Sequence, residues 1–211
     1  MRSVLTTMVA AMLGACSPQF ADRPDGDPVN ASVRDLVVPD GENDVFLTLP
    51  ANPWKAADPI NIAQQVSATW TDPEAAETKE RTTFIARIAI TTSHVMVTVL
   101  DGLGRRALDI DWTENALNVT RADWLPDRID ARRLLADMFV TYWPLDDVKN
   151  ALDRGMTIQQ TPSGRIIQSD HTQNALITIT RPATDPWQGT ATLHNARHGY
   201  TLTINSQRMA P

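Results

Sequence analysis

From Ile60 onward, apolar side chains return at every second residue, and this alternation constrains the fold more than any other feature. In "INIAQQVSATW", Ile60, Ile62, Val66, Ala68 and Trp70 share one parity, and in "TFIARIAIT" Phe84, Ala86, Ile88 and Ile90 do the same. "HVMVTVL" is apolar on both parities. "RALDIDW" sets Leu108, Ile110 and Trp112 against Asp109 and Asp111, and "NALNVTR" continues with Leu117 and Val119. A period of two sends successive side chains to opposite faces of a strand, so each run has one face to bury. The breaks "DGLGR" and "TEN" are too short for a crossover, which makes sequential strands antiparallel neighbours. The pattern resumes late in the chain. "MTIQQ" and "RIIQS" flank the turn "TPSG", "ALITIT" follows, and "GTATLH" and "YTLTIN" enclose "NARHG", where Gly199 suits positive φ. About nine to eleven short strands are expected.

Between the two strand groups the period changes. "DARRLLADMFVTYW" places Leu134, Leu135, Met138, Phe139 and Tyr142 at helical spacing, with Asp130 as N-cap. Trp143-Pro144 ends the helix, because a residue before proline disfavours the helical region. "LDDVKNALDRG" starts a second, shorter helix with Leu145, Val148, Ala151 and Leu152 inward and Gly155 as its left-handed cap. The expected class is α+β, mainly antiparallel β, with helices near 130–154 covering the inner face of one sheet. Periodicity does not say whether that interior is packed or hollow. Residues 31–59 are mixed: "DVFLTLP" is a strand or a lead-in, and "PANPWKAADP", with three prolines, forms no regular element.

The start of the chain has a separate logic. Arg2 precedes the apolar run Val4–Leu13, followed by the small residues Gly14 and Ala15 and by Cys16, the single cysteine. That order is a secretory signal, and ~10 apolar residues are too few to cross a bilayer core as a helix. Leu13-Gly14-Ala15-Cys16 resembles a bacterial lipobox, which implies a signal peptide over 1–15, cleavage before Cys16, and acyl chains on that thiol and the new amino terminus. Several chains at about 0.8 kcal/mol per buried CH₂ anchor a protein stably. Ser17–Asn30, rich in Pro, Asp and Gly, reads as a tether reaching ~45 Å when extended. The expected organisation is lipidated cysteine and tether over 16–42 and one domain over 43–211, folding as a monomer. Ser17 stands where an Asp retains enterobacterial lipoproteins in the inner membrane, so the resemblance implies the periplasmic face of the outer membrane.

Cofactor chemistry finds little footing. A lone cysteine allows no intramolecular disulfide and no thiolate cluster. His194 and His198 are four apart, but Gly199 and the flanking strands predict a hairpin there, not a zinc-binding helix. Asp109 and Asp111 share a strand face opposite apolar residues and read as solvated charges. The sequence carries no nucleophile elbow, phosphate loop or dinucleotide fingerprint. A net charge of −6 with no basic stripe argues against nucleic acid. No cofactor, no metal and no catalysis are expected.

Two segments carry a family resemblance. "RRLLADMFVTYWPLDDVKNAL" resembles the helical "LaD-x-x-LaxWPxxxLxxxL" segment of a family of uncharacterised bacterial lipoproteins, and "NARHGYTLTI" is similar to its "N-x-x-x-GYxLxI" ending, on Asn195, Gly199, Tyr200, Leu202 and Ile204. Members accompany gene clusters for aryl polyene pigments and fatty-acid-type synthesis, and are regarded as relatives of LolB, the outer-membrane receptor that takes lipoproteins from LolA. The resemblance spans about residues 45–208. It implies an incomplete, curved antiparallel β-barrel with a helical lid and an apolar cavity for acyl chains.

On that resemblance the lid helix packs Leu135, Met138, Phe139 and Trp143 over a cavity whose sheet side includes Trp70, Ile88, Ile110 and Trp112. Leu103, between two glycines of "DGLGR", sits where LolB carries a membrane-facing leucine on a longer loop. The expected function is non-catalytic: an outer-membrane lipoprotein that binds or hands over an acyl or polyene lipid, or a lipoprotein, to an envelope partner. The rival readings are an envelope scaffold with a filled core and, less favoured for want of a catalytic constellation, a lipid-acting hydrolase or transferase.

Overall fold

The structure, a computed structural model, describes residues 47–50, 54, 58–71, 79–114, 116–127, 129–170 and 174–210. The expected lipobox with Cys16, the expected tether and the expected domain start near Asn43 lie outside the described residues. Ten strands form one antiparallel sheet: β1 Ile60–Thr71, β2 Lys79–Ile90, β3 His94–Leu100, β4 Arg106–Thr113, β5 Leu117–Arg121, β6 Met156–Thr161, β7 Gly164–Ser169, β8 Ala175–Thr180, β9 Gly189–Asn195 and β10 Tyr200–Arg208. Two helices, α1 Ala131–Tyr142 and α2 Leu145–Ala151, connect β5 to β6. The spatial order is β5-β4-β3-β2-β1-β10-β9-β8-β7-β6. The two meanders therefore join where β1 pairs with β10, Val66 opposite Ile204, and the helices carry the chain from one free edge to the other.

The sheet is open but strongly curved. β4 and β7 stand seven places apart in it, which would separate them by ~34 Å if it were flat. Yet both reach the end of α1. Trp112 on β4 stacks on Trp143 at 6.0 Å between ring centroids, and Arg165 on β7 donates to the Trp143 carbonyl at 2.6 Å. The sheet is wrapped around α1, which lies in the trough.

Most local signals act as the sequence predicts. Asp130 caps α1, its carboxylate accepting from the backbone N–H groups of Arg132 and Arg133 at 2.9 and 3.0 Å. Trp143, extended at φ −67° and ψ 159°, ends α1 before Pro144. Gly199 takes φ 61° in the β9–β10 turn. Three details differ. Gly155 does not cap α2: Leu152 does, in an extended conformation, and the φ of 93° at Gly155 serves the turn into β6. "HVMVTVL" buries one face only, since Met96 is exposed while Val95, Val97 and Val99 are buried. Within "DVFLTLP", the described part is a single bridge, Leu47 to Leu152, against the end of α2.

The C-terminal end of α1 is held by a buried cation. Arg165 is 2% exposed and donates to the carbonyls of Val140 and Trp143, the first at 2.8 Å. Those carbonyls lack helical partners and carry the negative end of the helix dipole, so a guanidinium suits them. Burial, with neighbouring Arg181, pulls the Arg165 pKa down to about 10, which leaves it protonated at neutral pH.

Candidate functional site

The trough is filled unevenly. One side is an aromatic cluster centred on Trp143, with Trp54, Phe139 and Trp187 within 5.1 to 6.2 Å of its ring centroid and Tyr142 stacked on Trp187 at 4.2 Å. The other side is hollow. Between α1 and the inner faces of β1, β2, β3 and β10 lies a cavity of about 120 Å³ measured to the centres of water-sized spheres, many times what one water needs. Its sheet wall sets small and β-branched residues, among them Val66, Ala68, Ala86, Val97 and Val99, beside the larger Trp70, Phe84 and Leu202. Its roof is Leu134, Met138 and Tyr142. The wall follows β1 from Gln64 to Trp70, about 20 Å at strand rise.

The two ends differ. At the inner end Gln64 is buried and donates both amide hydrogens, to the Tyr142 hydroxyl at 3.1 Å and to Ser206 Oγ at 3.0 Å. At the other end Trp70, Ile129, Leu134 and Leu202 are only half-buried, and Asp130 and Arg133 join the rim. Among the cavity-lining residues of α1 stands Asp137, 7% exposed. Tyr200 donates its hydroxyl hydrogen between the two carboxylate oxygens, at 2.9 and 2.7 Å, and Asn195 Nδ2 donates to that hydroxyl at 3.1 Å. Burial pushes the Asp137 carboxyl up to about 7, against the lowering pull of Tyr200 and Arg133. Burial and the adjacent Asp137 also raise the Tyr200 hydroxyl above its ordinary range, so it stays a donor.

The sequence matches the family described as a protein of unknown function, DUF3261, over residues 61–208, from the second residue of β1 to the last of β10. The chain belongs to the DUF3261 family. No curated protein matches it in sequence. Among solved structures it is similar to a LolA superfamily protein from Nitrosomonas europaea, at 8% identity and a TM-score of 0.37 over 74% of this chain and 88% of that one. It is also similar to a DUF1329 family protein from Desulfovibrio piger, at 9% identity and a TM-score of 0.30 over 70% and 83%.

In this DUF3261 chain the two segments that carried the sequence resemblance meet at one point. Asp137 belongs to "LLADMF" on α1, and Asn195 and Tyr200 to "NARHGY" at the β9–β10 hairpin; the three form the buried network just described. Of the residues expected to line a cavity, Trp70, Ile88 and Met138 do so. Ile110, Trp112, Leu135, Phe139 and Trp143 do not; they are buried in the packed side. Sequence reasoning gave no site role to Asp137, Gln64 or Tyr200, although Tyr200 carried part of the C-terminal motif. Asp137 leaves a signal, a carboxylate in phase with Leu134 and Met138 on the inward face, and Gln64 sits on the inward parity of β1.

The remaining candidates lie on the outside. Leu103 is 82% exposed at the β3–β4 turn, whose backbone is held by the Asp101 carboxylate through the N–H groups of Leu103 and Arg105. Asp109 accepts from Thr98 at 2.8 Å and Arg106 at 3.0 Å, and Asp111 pairs with His94. His194 is exposed on β9 and bonds Thr201. Among the described residues no three His, Cys, Asp or Glu side chains are grouped to hold a metal ion, and no helix is long and apolar enough to cross a membrane.

Proposed function

We propose that this protein is a lipid-anchored carrier that takes one acyl or polyene chain into the trough beneath α1, without catalysis. The observation that carries the reading is the apolar cavity between α1 and the sheet. The space of about 120 Å³ lies beside β1 between Gln64 and Trp70 and is walled mostly by apolar side chains. A narrow apolar chain suits such a space. Each buried methylene is worth about 0.8 kcal/mol, so ~10 of them gain about 8 kcal/mol before ordering costs. A scaffold with a filled core has no use for such a void, which costs stability in a packed interior.

The setting follows from the start of the chain. Cys16 carries the anchor, the tether spans the gap, and the outer membrane is the site of work, with the domain as a monomer handing its cargo, free lipid or lipoprotein, to or from an envelope partner. The resemblance to lipoproteins of aryl polyene clusters supports a polyene as the cargo. Leu103 is the membrane-facing residue of this reading; its exposure supports it, as does Trp124 nearby, 42% exposed with the Arg105 guanidinium stacked 4.5 Å from its ring centroid.

The test uses the full chain with Cys16→Ser, made in the cytosol, and cis-parinaric acid, a polyene fatty acid that fluoresces when buried. One site per chain is expected, lost on Ala86→Phe, which fills the wall. No binding by a folded protein would end the carrier reading.

A further inference from the structure

We propose that a second, smaller cavity beside the channel is a head-group pocket, and that the ligand is an amphiphile with an anionic head held by Arg133, with Arg197 and His198 beside it. The proposal rests on the channel holding a chain. It adds which end of the molecule lies where and what charge that end bears.

The two cavities share a wall. Arg133, Asp137 and Tyr200 line both, and the smaller one, about 30 Å³, is completed by apolar Leu47 and Ile177 and by Asn195, Arg197 and His198. A chain lying along β1 therefore passes residues that also bound a chamber with two guanidinium groups and an imidazole. The inner end of the channel is lined differently. The polar groups there, Gln64, Tyr142 and Ser206, are neutral and the amide hydrogens of Gln64 are already committed; Arg181 acts on the Tyr142 hydroxyl from behind, outside the channel lining, in which Arg133 is the one basic side chain. A buried anion needs a counter-charge or it pays the full cost of leaving water. The head is directed to Arg133, the basic side chain that lines both cavities, and the chain tip points inward.

The carboxylates near this chamber do not cancel it. Asp130 faces the two backbone N–H groups of the first helical turn. Asp137 is tied to Tyr200, and a carboxyl titrating at about 7 carries only part of a charge at neutral pH. Arg133, Arg197 and His198 have contacts within the protein as well, so an anion joins an existing network. The volume equals two or three waters, the size of a carboxylate or a phosphate monoester and too small for a sugar or a second chain. A guanidinium recognises either group through paired N–H donors.

The experiment is competition against cis-parinaric acid by hexadecanoic acid, hexadecyl phosphate and hexadecanol, on the full Cys16→Ser chain and on its Arg133→Gln and Arg133→Lys forms. The two anions should displace the dye at least tenfold better than the alcohol, and the better of them names the head as carboxylate or phosphate. Arg133→Gln should collapse the anion-to-alcohol ratio toward one, and Arg133→Lys should restore most of it. Equal affinities in the parent chain, or a ratio unmoved by Arg133→Gln in a folded protein, would overturn the head-group assignment while leaving the channel intact. Failure of every chain to bind would remove the carrier reading itself, and this inference with it.

Discussion

Replacing Asp137 by asparagine should make the protein more stable above neutral pH and change nothing of consequence in acid. Asp137 is buried, and its carboxyl rises from 3.8 to about 7 on folding. A folded pKa above the unfolded one means that the native state binds the extra proton between these values. The stability that the neutral carboxyl permits is fully present below pH 3.8 and is lost as pH climbs to about 7. At 1.36 kcal/mol per pH unit, that interval is worth about 4 kcal/mol. An asparagine keeps the shape and an acceptor for the Tyr200 hydroxyl but cannot ionise. At pH 8 the Asp137→Asn protein should therefore be about 4 kcal/mol more stable than its parent, and below pH 4 the two should agree within about 1 kcal/mol. Carboxylates of opposite slope, such as Asp185, held low by its hydrogen bond to Arg208, are common to both proteins and cancel in the difference. Urea unfolding at half-unit steps from pH 3.5 to 8.5 measures this directly. Parallel curves across the whole range would refute the argument, since they would mean that Asp137 is ionised alike in both states.

Leu134→Trp, on the cavity roof, should abolish cis-parinaric acid binding with little change in melting temperature, whereas Leu135→Trp, in the packed side, should cost about 1–3 kcal/mol by overpacking; thermal melts with dye titration separate the two. Arg165→Met removes both donors from the Val140 and Trp143 carbonyls and should lower stability by about 2–4 kcal/mol in urea unfolding. Gly164→Ala would set a Cβ 1.8 Å from the Ile179 carbonyl oxygen, so β7 and β8 must part; a loss above about 3 kcal/mol is expected in the same assay. Cys16→Ser in the natural host should leave an uncleaved precursor without acyl chains, read by intact-protein mass; normal processing, or an unmodified wild-type terminus, would remove the anchor.

Local order decided much of this molecule before any tertiary contact. The two-residue period from Ile60 to Ile110 and again from Met156 to Ile204 fixes which side chains face inward, because a strand leaves no other choice. The Asp130 cap and Trp143-Pro144 bound α1 for equally local reasons, and short turns make the neighbours antiparallel. The first step that needed the third dimension is the pairing of β1 with β10, residues far apart in sequence, which joins two meanders into one sheet. The curvature that brings Trp112 and Arg165 to the same helix end follows from that sheet and its twist, and no single segment encodes it. Hollowness is likewise a tertiary property. The strand period reads Ala68 and Ala86 as inward, as it reads Ile110 and Trp112, but only the depth of the trough at each place tells whether the side chain meets a partner. So Leu135 and Phe139, named from the helical stripe, fell in the packed side, while their neighbours Leu134 and Met138 roof the cavity; a rotation of one residue about α1 separates the two outcomes. The same holds for Asp137: its inward phase is written in "LLADMF", but its pKa is set by burial and by Tyr200, sixty-three residues away, and that meeting exists only in the folded chain.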